Sequence, residues 1–228
     1  MIRNNKQKEK SCIIIANGDM PRKGIINYLL KNDTDTIIAA DGGANSALKL
    51  GIIPNYIIGD FDSLQKNVKK YFSDKAVFIH YKRQNDTDVE KSLKFAIKKG
   101  FKKVYLFGAT GNRLDHSICN LGIIIKFFDR LKIILIHGKT ILAPYNTDVV
   151  LQTIPNETIS LYAFDDETFI TSKGLKYPLK NANLKFGKKE STSNVALGTQ
   201  VELKISGKII FVIRELNTVK NNGLFFQL

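Results

Sequence analysis

Tryptophan is absent from this chain of 228 residues, histidine occurs three times and cysteine twice. Cys12 and Cys119 form no CxxC pair and have no neighbouring histidine, which argues against a disulfide framework or a zinc site. Both are expected to be buried thiols. Long apolar runs are missing too: Ile13-Ile14-Ile15 and Leu121-Gly122-Ile123-Ile124-Ile125 fall well short of the roughly 18 residues that a membrane-spanning helix needs. Arg3, Lys6, Lys8 and Lys10 make the first ten residues basic. The apolar stretch behind them stops at the turn-forming Asn17-Gly18, too soon for a secretory core. These absences lead to the expectation of a cytoplasmic protein with no membrane partner.

What is present is ample apolar material, 43% of the residues, enough for one large domain or two modest ones. Acidic residues are outnumbered 21 to 35, giving a net charge of +14. Of these charges, 25 basic and 13 acidic residues precede Pro144, and 10 basic and 8 acidic follow it. The lysines are scattered singly and in pairs, with no stripe interleaved with aromatics, so they read as a solvated surface and no nucleic-acid partner is expected. A positive field of this kind draws in a small polyphosphate equally well.

Short apolar runs at residues 12–16, 36–40, 56–58, 76–79, 104–107 and 133–136 each read as a buried strand. Helix-length segments separate them, at 22–31, 44–50, 64–72, 87–99 and 114–128. The alternation predicts βαβ units, and therefore a parallel sheet covered on both faces. After Pro144 the pattern has period two, as in Val201-Glu202-Leu203-Lys204-Ile205, with no helical period. The expected fold is α/β: an N-terminal Rossmann-like parallel sheet with flanking helices over residues 1–143, then an all-β sandwich over 144–228.

In open parallel sheets ligands collect beyond the carboxyl ends of the strands. Those ends carry Asn17-Gly18-Asp19, Asp41-Gly42-Gly43-Ala44-Asn45, Gly59-Asp60-Phe61-Asp62, Gln84-Asn85-Asp86-Thr87-Asp88, and the segment from Gly108 to His116. Asp60 and Asp62, two apart, would project to the same side of an extended chain and suit Mg²⁺, which favours hard oxygen ligands. The alternative makes Asp62 or Ser63 the cap of the following helix. Asp41 and Asp88 tip the balance, because a ring of acids needs a cation to be tolerable. Asp41-Gly42-Gly43 suits phosphate at a helix N-terminus, or simply a tight turn. Thr87 and Glu90 fit a reciprocal capping box. The turn from Gly108 to Gly111 is neither a P-loop nor a GxGxxG fingerprint. Beyond it, Arg113 could clamp phosphate, with Asp115 orienting it.

Taken in order, Ala40 to Asn45, Gly59 to Ser63, Gln84 to Asp88, Gly108-Ala109-Thr110-Gly111-Asn112-Arg113-Leu114-Asp115-His116 and Ser191-Thr192-Ser193-Asn194 resemble the thiamine pyrophosphokinase family. The resemblance implies a nucleotide-binding α/β domain followed by a β-sandwich domain, paired as a homodimer with sites between subunits. It implies Mg²⁺-dependent transfer of pyrophosphate from ATP to the hydroxyl of thiamine, with AMP as the second product. By the same match Asp41, Asp60, Asp62 and Asp88 would surround the metal, and Asp60, Asp62, Asp88 and Arg113 would carry catalysis. Asn17, Asp41, Gly42, Gly43, Asn45, Thr87, Gly108, Thr110, Gly111, Arg113, Asp115 and His116 would contact ATP. Gln84, Ser191, Ser193 and Asn194 would face thiamine. Some members stack a tryptophan on the substrate; here Phe211 either replaces it or fills the sandwich core.

Two rival readings compete. Ile57 to Ser63 is similar to the Asp-x-Asp signature of haloacid-dehalogenase-type phosphatases, with Asp60 as covalent nucleophile, although that signature normally lies on the first strand. The other rival is a non-catalytic basic protein that binds nucleic acid.

Overall fold

The computed structural model describes residues 9–82, 85–111 and 113–228. Gln84 therefore lies outside the described residues, as do Asn112 and the basic Arg3, Lys6 and Lys8. The chain divides into two compact units after Ile133.

The first unit alternates strand and helix: β1 (Ser11–Ile15), α1 (Lys23–Asn32), β2 (Ile37–Ala40), α2 (Gly43–Lys49), β3 (Tyr56–Gly59), α3 (Lys66–Phe72), β4 (Val77–His80), α4 (Asp88–Lys98), β5 (Lys103–Phe107) and α5 (Leu114–Phe127). The strands are parallel in the order β5-β1-β2-β3-β4. Every residue of β1 and β2 is buried, as unbroken apolar strands must be when both faces of a sheet are covered. Ala39 and Ile57 meet Ala44, Leu64, Val68 and Phe72 in one cluster, so α2 and α3 are held through their apolar stripes. β4 departs from the expected buried strand: it ends the strand order, and Val77 is 56% exposed. A strand paired along one edge can carry an apolar residue facing water.

Cysteine burial also divides. Cys12 lies on β1 with no exposure, whereas Cys119 is exposed, contrary to expectation. The inward positions of α5 are Asn120, Ile123, Ile124 and Phe127, and Cys119 projects from another side of the helix. Burial pushes the Cys12 thiol up to about 12, against a small opposing pull from Lys10. The thiolate is the reactive species, so titration of the native protein with a thiol reagent is expected to find one group, Cys119, and two only after denaturation. Rapid native labelling of Cys12 would contradict this.

The second unit begins within β6 (Lys132–His137) and continues with β7 (Thr140–Tyr145), β8 (Val149–Gln152), β9 (Thr158–Ala163), β10 (Phe169–Lys173), β11 (Ala182–Asn183), β12 (Ser191–Val195), β13 (Gln200–Ser206) and β14 (Ile210–Glu215). β6, which the sequence made one more strand of the series, pairs antiparallel with β7, Leu135 opposite Leu142. One antiparallel array runs β6-β7-β14-β9-β12 and a second runs β8-β13-β10-β11. β13 alternates exposed and buried along its length, and Val201, Leu203 and Ile205 join Ile159, Leu161, Ile170 and Val212 in one core. Period two in the sequence thus becomes one wet face and one packed face. A short helix, α6 (Leu216–Asn221), and a 3₁₀ turn, Phe225–Gln227, close the chain where no helix was expected. Six residues are too few to display a helical period, and Leu216 and Val219 are buried.

Candidate active site

The strand order reverses between β1 and β5, and the loops beyond those strands run on together. Ala16 N–H donates to Phe107 O at 2.8 Å, Gly18 N–H to Gly108 O at 2.6 Å and Asp19 N–H to Thr110 O at 2.8 Å. The turn after β2 closes the third side. Gly43 lies so tightly over Ile15 that a side-chain carbon there would collide with the Ile15 carbonyl; only glycine lets α2 start at the strand end. The result is a cleft of about 750 Å³ in the position where open α/β sheets hold ligands.

Asn17, Asp41, Gly42, Asn45, Asp62, Thr87, Asp88, Gly108, Thr110, Gly111, Arg113 and His116 border this cleft; Gly43, Asp60 and Asp115 do not. Lys49 and Asn120 are wall residues outside the motifs, and Asp19 and Ser63 from within them join the wall as well. Asn120 is buried on α5 and donates to Ala109 O at 2.6 Å, anchoring the turn after β5. Asn45 ties α2 to the loop after β3, donating to Ser63 O at 2.9 Å and accepting from Gln65 N–H at 3.1 Å.

Carboxylate oxygens of Asp41, Asp60 and Asp88 lie within 4.8 Å of one another. Gly59 makes this possible, because a side-chain carbon there would stand 2.7 Å from Asp41 Cβ and 3.2 Å from Asp88 Oδ1. Asp41 is 1% exposed, with φ at +41°. Its Oδ2 accepts Ser63 N–H at 3.0 Å, and its Oδ1 is buried with no hydrogen-bond partner. Burial pushes the Asp41 carboxyl up to about 6; the Ser63 N–H opposes this, and the charges of Asp88 and Asp62 add to it. A buried acceptor left unpaired is costly, and hard oxygens converging around it suit a divalent cation such as Mg²⁺.

Asp62 lies beside these three, its carboxyl close enough to act on those of Asp41, Asp60 and Asp88. The segment is not extended as expected: Phe61 has φ at +69° and turns the chain between the two aspartates, whose carboxyls nonetheless stay within reach of each other. Asp62 also accepts Ser63 Oγ–H at 3.0 Å. Neither it nor Ser63 caps α3, whose N-cap is Gln65 with no side-chain cap bond.

The residue that sequence reasoning missed is Lys91. Its ammonium, 4% exposed, donates to Asp88 Oδ1 at 2.8 Å and to Asp60 Oδ2 at 3.1 Å. Burial tends to raise the Asp60 carboxyl, but Lys91 and the Asp62 N–H together hold it below its usual range. At Asp88 burial outweighs Lys91 and the carboxyl is raised. The only available signal was spacing, a lysine three residues after Asp88 on the buried stripe of α4.

Thr87 caps α4 by accepting Glu90 N–H at 3.2 Å. The reciprocal half of the box is replaced: Glu90 pairs with Lys94 at 2.9 Å and Lys126 at 2.7 Å, since two ammonium groups outcompete one backbone N–H. Arg113 forms a two-pronged pair with Asp115, at 2.9 and 2.6 Å, in the open. An exposed pair adds little stability, so the guanidinium can exchange this partner for another anion at low cost.

In the second unit Ser191 and Asn194 are buried. Asn194 spends its amide locally, accepting Tyr177 N–H at 3.0 Å and donating to Tyr177 O at 2.7 Å and Ser191 Oγ at 3.3 Å. Ser193 takes φ +54°, and its N–H donates to Ser160 Oγ at 2.9 Å. Phe211 is 1% exposed and packs edge-on against Phe164 at 5.3 Å; Phe164 in turn stacks on Phe186 at 5.1 Å. Phe164 and Phe186 are the exposed rings of this trio.

In class, then, the first unit is an α/β protein whose cleft suits phosphate groups and a hard cation. Residues 28–135 match the family described as Thiamin pyrophosphokinase, catalytic domain, and residues 147–210 match Thiamin pyrophosphokinase, vitamin B1 binding domain. The chain is 31% identical over 197 residues to Thiamin pyrophosphokinase 1 of Caenorhabditis elegans, covering 80% of each. It is 29% identical over 213 residues to Thiamine pyrophosphokinase of Bacillus subtilis, covering 90% of this chain and 98% of that one. The crystal structure of thiamine pyrophosphokinase from Bacillus subtilis is similar with a TM-score of 0.79 at 25% identity, over 90% of this chain and 99% of that one. Yeast thiamin pyrophosphokinase shares the fold with a TM-score of 0.80 at 19% identity, over 95% and 90%. The chain belongs to the thiamin pyrophosphokinase family.

Proposed function

We propose that this chain transfers the pyrophosphoryl group of ATP to the hydroxyl of thiamine, giving thiamine diphosphate and AMP, with Mg²⁺ required. The observation that carries the reading is the group of Asp41, Asp60 and Asp88 around the unpartnered Asp41 Oδ1, in a chain of this family. These carboxylates would hold the ion, which supplies charge neutralisation at phosphate oxygens when bound. The residues present fit it, being hard oxygen donors with one buried acceptor unsatisfied.

The chain's own residues do the rest. Gly42, Gly43, Gly108, Thr110 and Gly111 bring backbone close to the polyphosphate, and Asn17, Asn45, Thr87 and His116 border the nucleotide. Arg113 leaves Asp115 to take phosphate oxygens, opposing the charge that grows on the leaving AMP. We assign the proton of the attacking hydroxyl to Asp62, which borders the cleft outside the three-carboxylate group. The Rossmann-like first domain, 1–143, binds nucleotide, and the β-sandwich domain, 144–228, binds thiamine and pairs two copies of a cytoplasmic homodimer. Ser193 faces thiamine, with the exposed Phe164 and Phe186 offering rings to it and Phe211 bracing them; Gln84 is assigned to thiamine by the family resemblance alone. Ser191 and Asn194 shape that surface from beneath.

The test is AMP release from ATP by the purified protein. AMP is expected in a one-to-one ratio with thiamine diphosphate, and no AMP without thiamine or after chelation of Mg²⁺. Absence of thiamine-dependent AMP sinks the reading, and trapping of a phospho-aspartate at Asp60 would point to a phosphatase.

A further inference from the structure

We propose that Lys91 is a built-in counter-ion whose ammonium holds the Asp60–Asp88 carboxylate pair when no metal is bound, and thereby limits how tightly a cation is taken up. The inference rests on the reading of Asp41, Asp60 and Asp88 as a cation site. It makes Lys91 a positioning and selectivity residue, acting through the carboxylates rather than on the substrates.

Lysine is almost never fully buried unless paired, and Lys91 at 4% exposure is paired twice. Its two bonds complete a division of labour among the carboxylates. Each aspartate has one oxygen tethered by the protein: Asp41 Oδ2 by Ser63 N–H, Asp60 Oδ2 and Asp88 Oδ1 by Lys91. The second oxygens are Asp41 Oδ1, buried and unpartnered, Asp60 Oδ1, with a long 3.4 Å contact to Asp62 N–H, and Asp88 Oδ2. Tethering one oxygen fixes the direction of the other. Lys91 therefore aims two of the three carboxylates by the same bonds that neutralise them.

The charges sharpen the point. Lys91 offsets one of the negative charges of the three carboxylates and of Asp62 beside them; without the ammonium the site carries one more. Lys91 thus has two opposed effects. In the metal-free chain it relieves repulsion between Asp60 and Asp88, and toward an incoming cation it is a like charge. A lysine with only a structural role would have the first effect and not the second.

The experiment is a Mn²⁺ titration read by electron paramagnetic resonance, with thermal melts with and without Mn²⁺, on the natural chain, Lys91→Met and Lys91→Gln. Both variants are expected to melt lower without cation, to regain most of the loss at saturating Mn²⁺, and to bind Mn²⁺ on the order of tenfold more tightly. Their affinity for a trivalent ion, Tb³⁺, is expected to rise by a larger factor than that for Mn²⁺. Unchanged or weaker Mn²⁺ binding would overturn the proposal. So would failure of both variants to fold at saturating Mn²⁺, since the cation would then not replace the ammonium. If the natural chain binds no Mn²⁺ the proposal also falls, and thiamine-dependent AMP release, measured separately, decides whether the proposed activity stands without it.

Discussion

Asp41→Asn is expected to lose turnover by roughly a thousandfold or more while folding as well as the natural chain. Ser63 N–H donates to Oδ2, so the asparagine must turn its carbonyl to that side. Its NH₂ group then occupies the place of Oδ1, where a donor faces any cation. The natural residue is a carboxylate at 1% exposure, raised by burial to about 6, so removing its charge relieves a cost of folding. The measurement is paired: AMP release at saturating substrates, and a urea melt of the metal-free protein. A fall in stability together with a modest fall in turnover would make Asp41 a structural residue. Near-normal turnover would remove it from the site.

Arg214→Met is expected to cost about 3–5 kcal/mol, the loss that follows from breaking a buried ion pair by removing one partner. Arg214 and Glu157 are 3% and 1% exposed, joined at 2.6 and 2.9 Å through two prongs. The guanidinium also donates to Gln152 O at 2.7 Å, and Glu157 accepts Ile154 N–H at 3.3 Å. One pair therefore fastens β14 to the end of β8 and to the turn after it. Removing the arginine leaves a carboxylate buried without its counter-charge. The double variant Arg214→Met/Glu157→Met leaves no orphaned charge and is expected to recover much of the loss. Urea unfolding of the two single variants and the double variant checks this. A loss below about 1 kcal/mol in the single variants would mean that water reaches the site and screens the charge.

The part of the fold that was legible was legible for a physical reason. Strands covered on both faces must be apolar throughout, so β1, β2 and β5 appear as unbroken runs, and the residues after them fall where a parallel sheet collects ligands. Asp41, Asp60 and Asp88 were accordingly named from sequence, and the fold brings them side by side. The misreadings arose where tertiary context decides. β4 is as apolar as its neighbours, and only its place at the end of the order exposes Val77. β6 carries the same kind of run as β5, and its antiparallel pairing with β7 is set by the strand after it. Phe61 takes a backbone conformation usual for glycine, and no local preference announces it. Lys91 was hidden by its companions: among 35 basic residues, one lysine on a helix looks like surface charge. What sets it apart is the carboxylate of Asp60, supplied from 31 positions away.

The pairing of β1 with β5 fixes when the cleft can exist. Ser11 lies opposite Lys103 and Ile15 opposite Phe107, so the first strand to be synthesised waits for the fifth. Until Gly108 and Thr110 arrive, the N–H groups of Gly18 and Asp19 lack the carbonyls that hold their loop. A nascent chain therefore passes through a stage with four strands made and no cleft. Closing such a long-range contact is slow relative to local helix formation. A ligand of the cleft can therefore favour the finished unit but cannot guide its early assembly, and capture of ATP, the proposed ligand, by ribosome-bound chains of increasing length is expected to rise in one step rather than gradually.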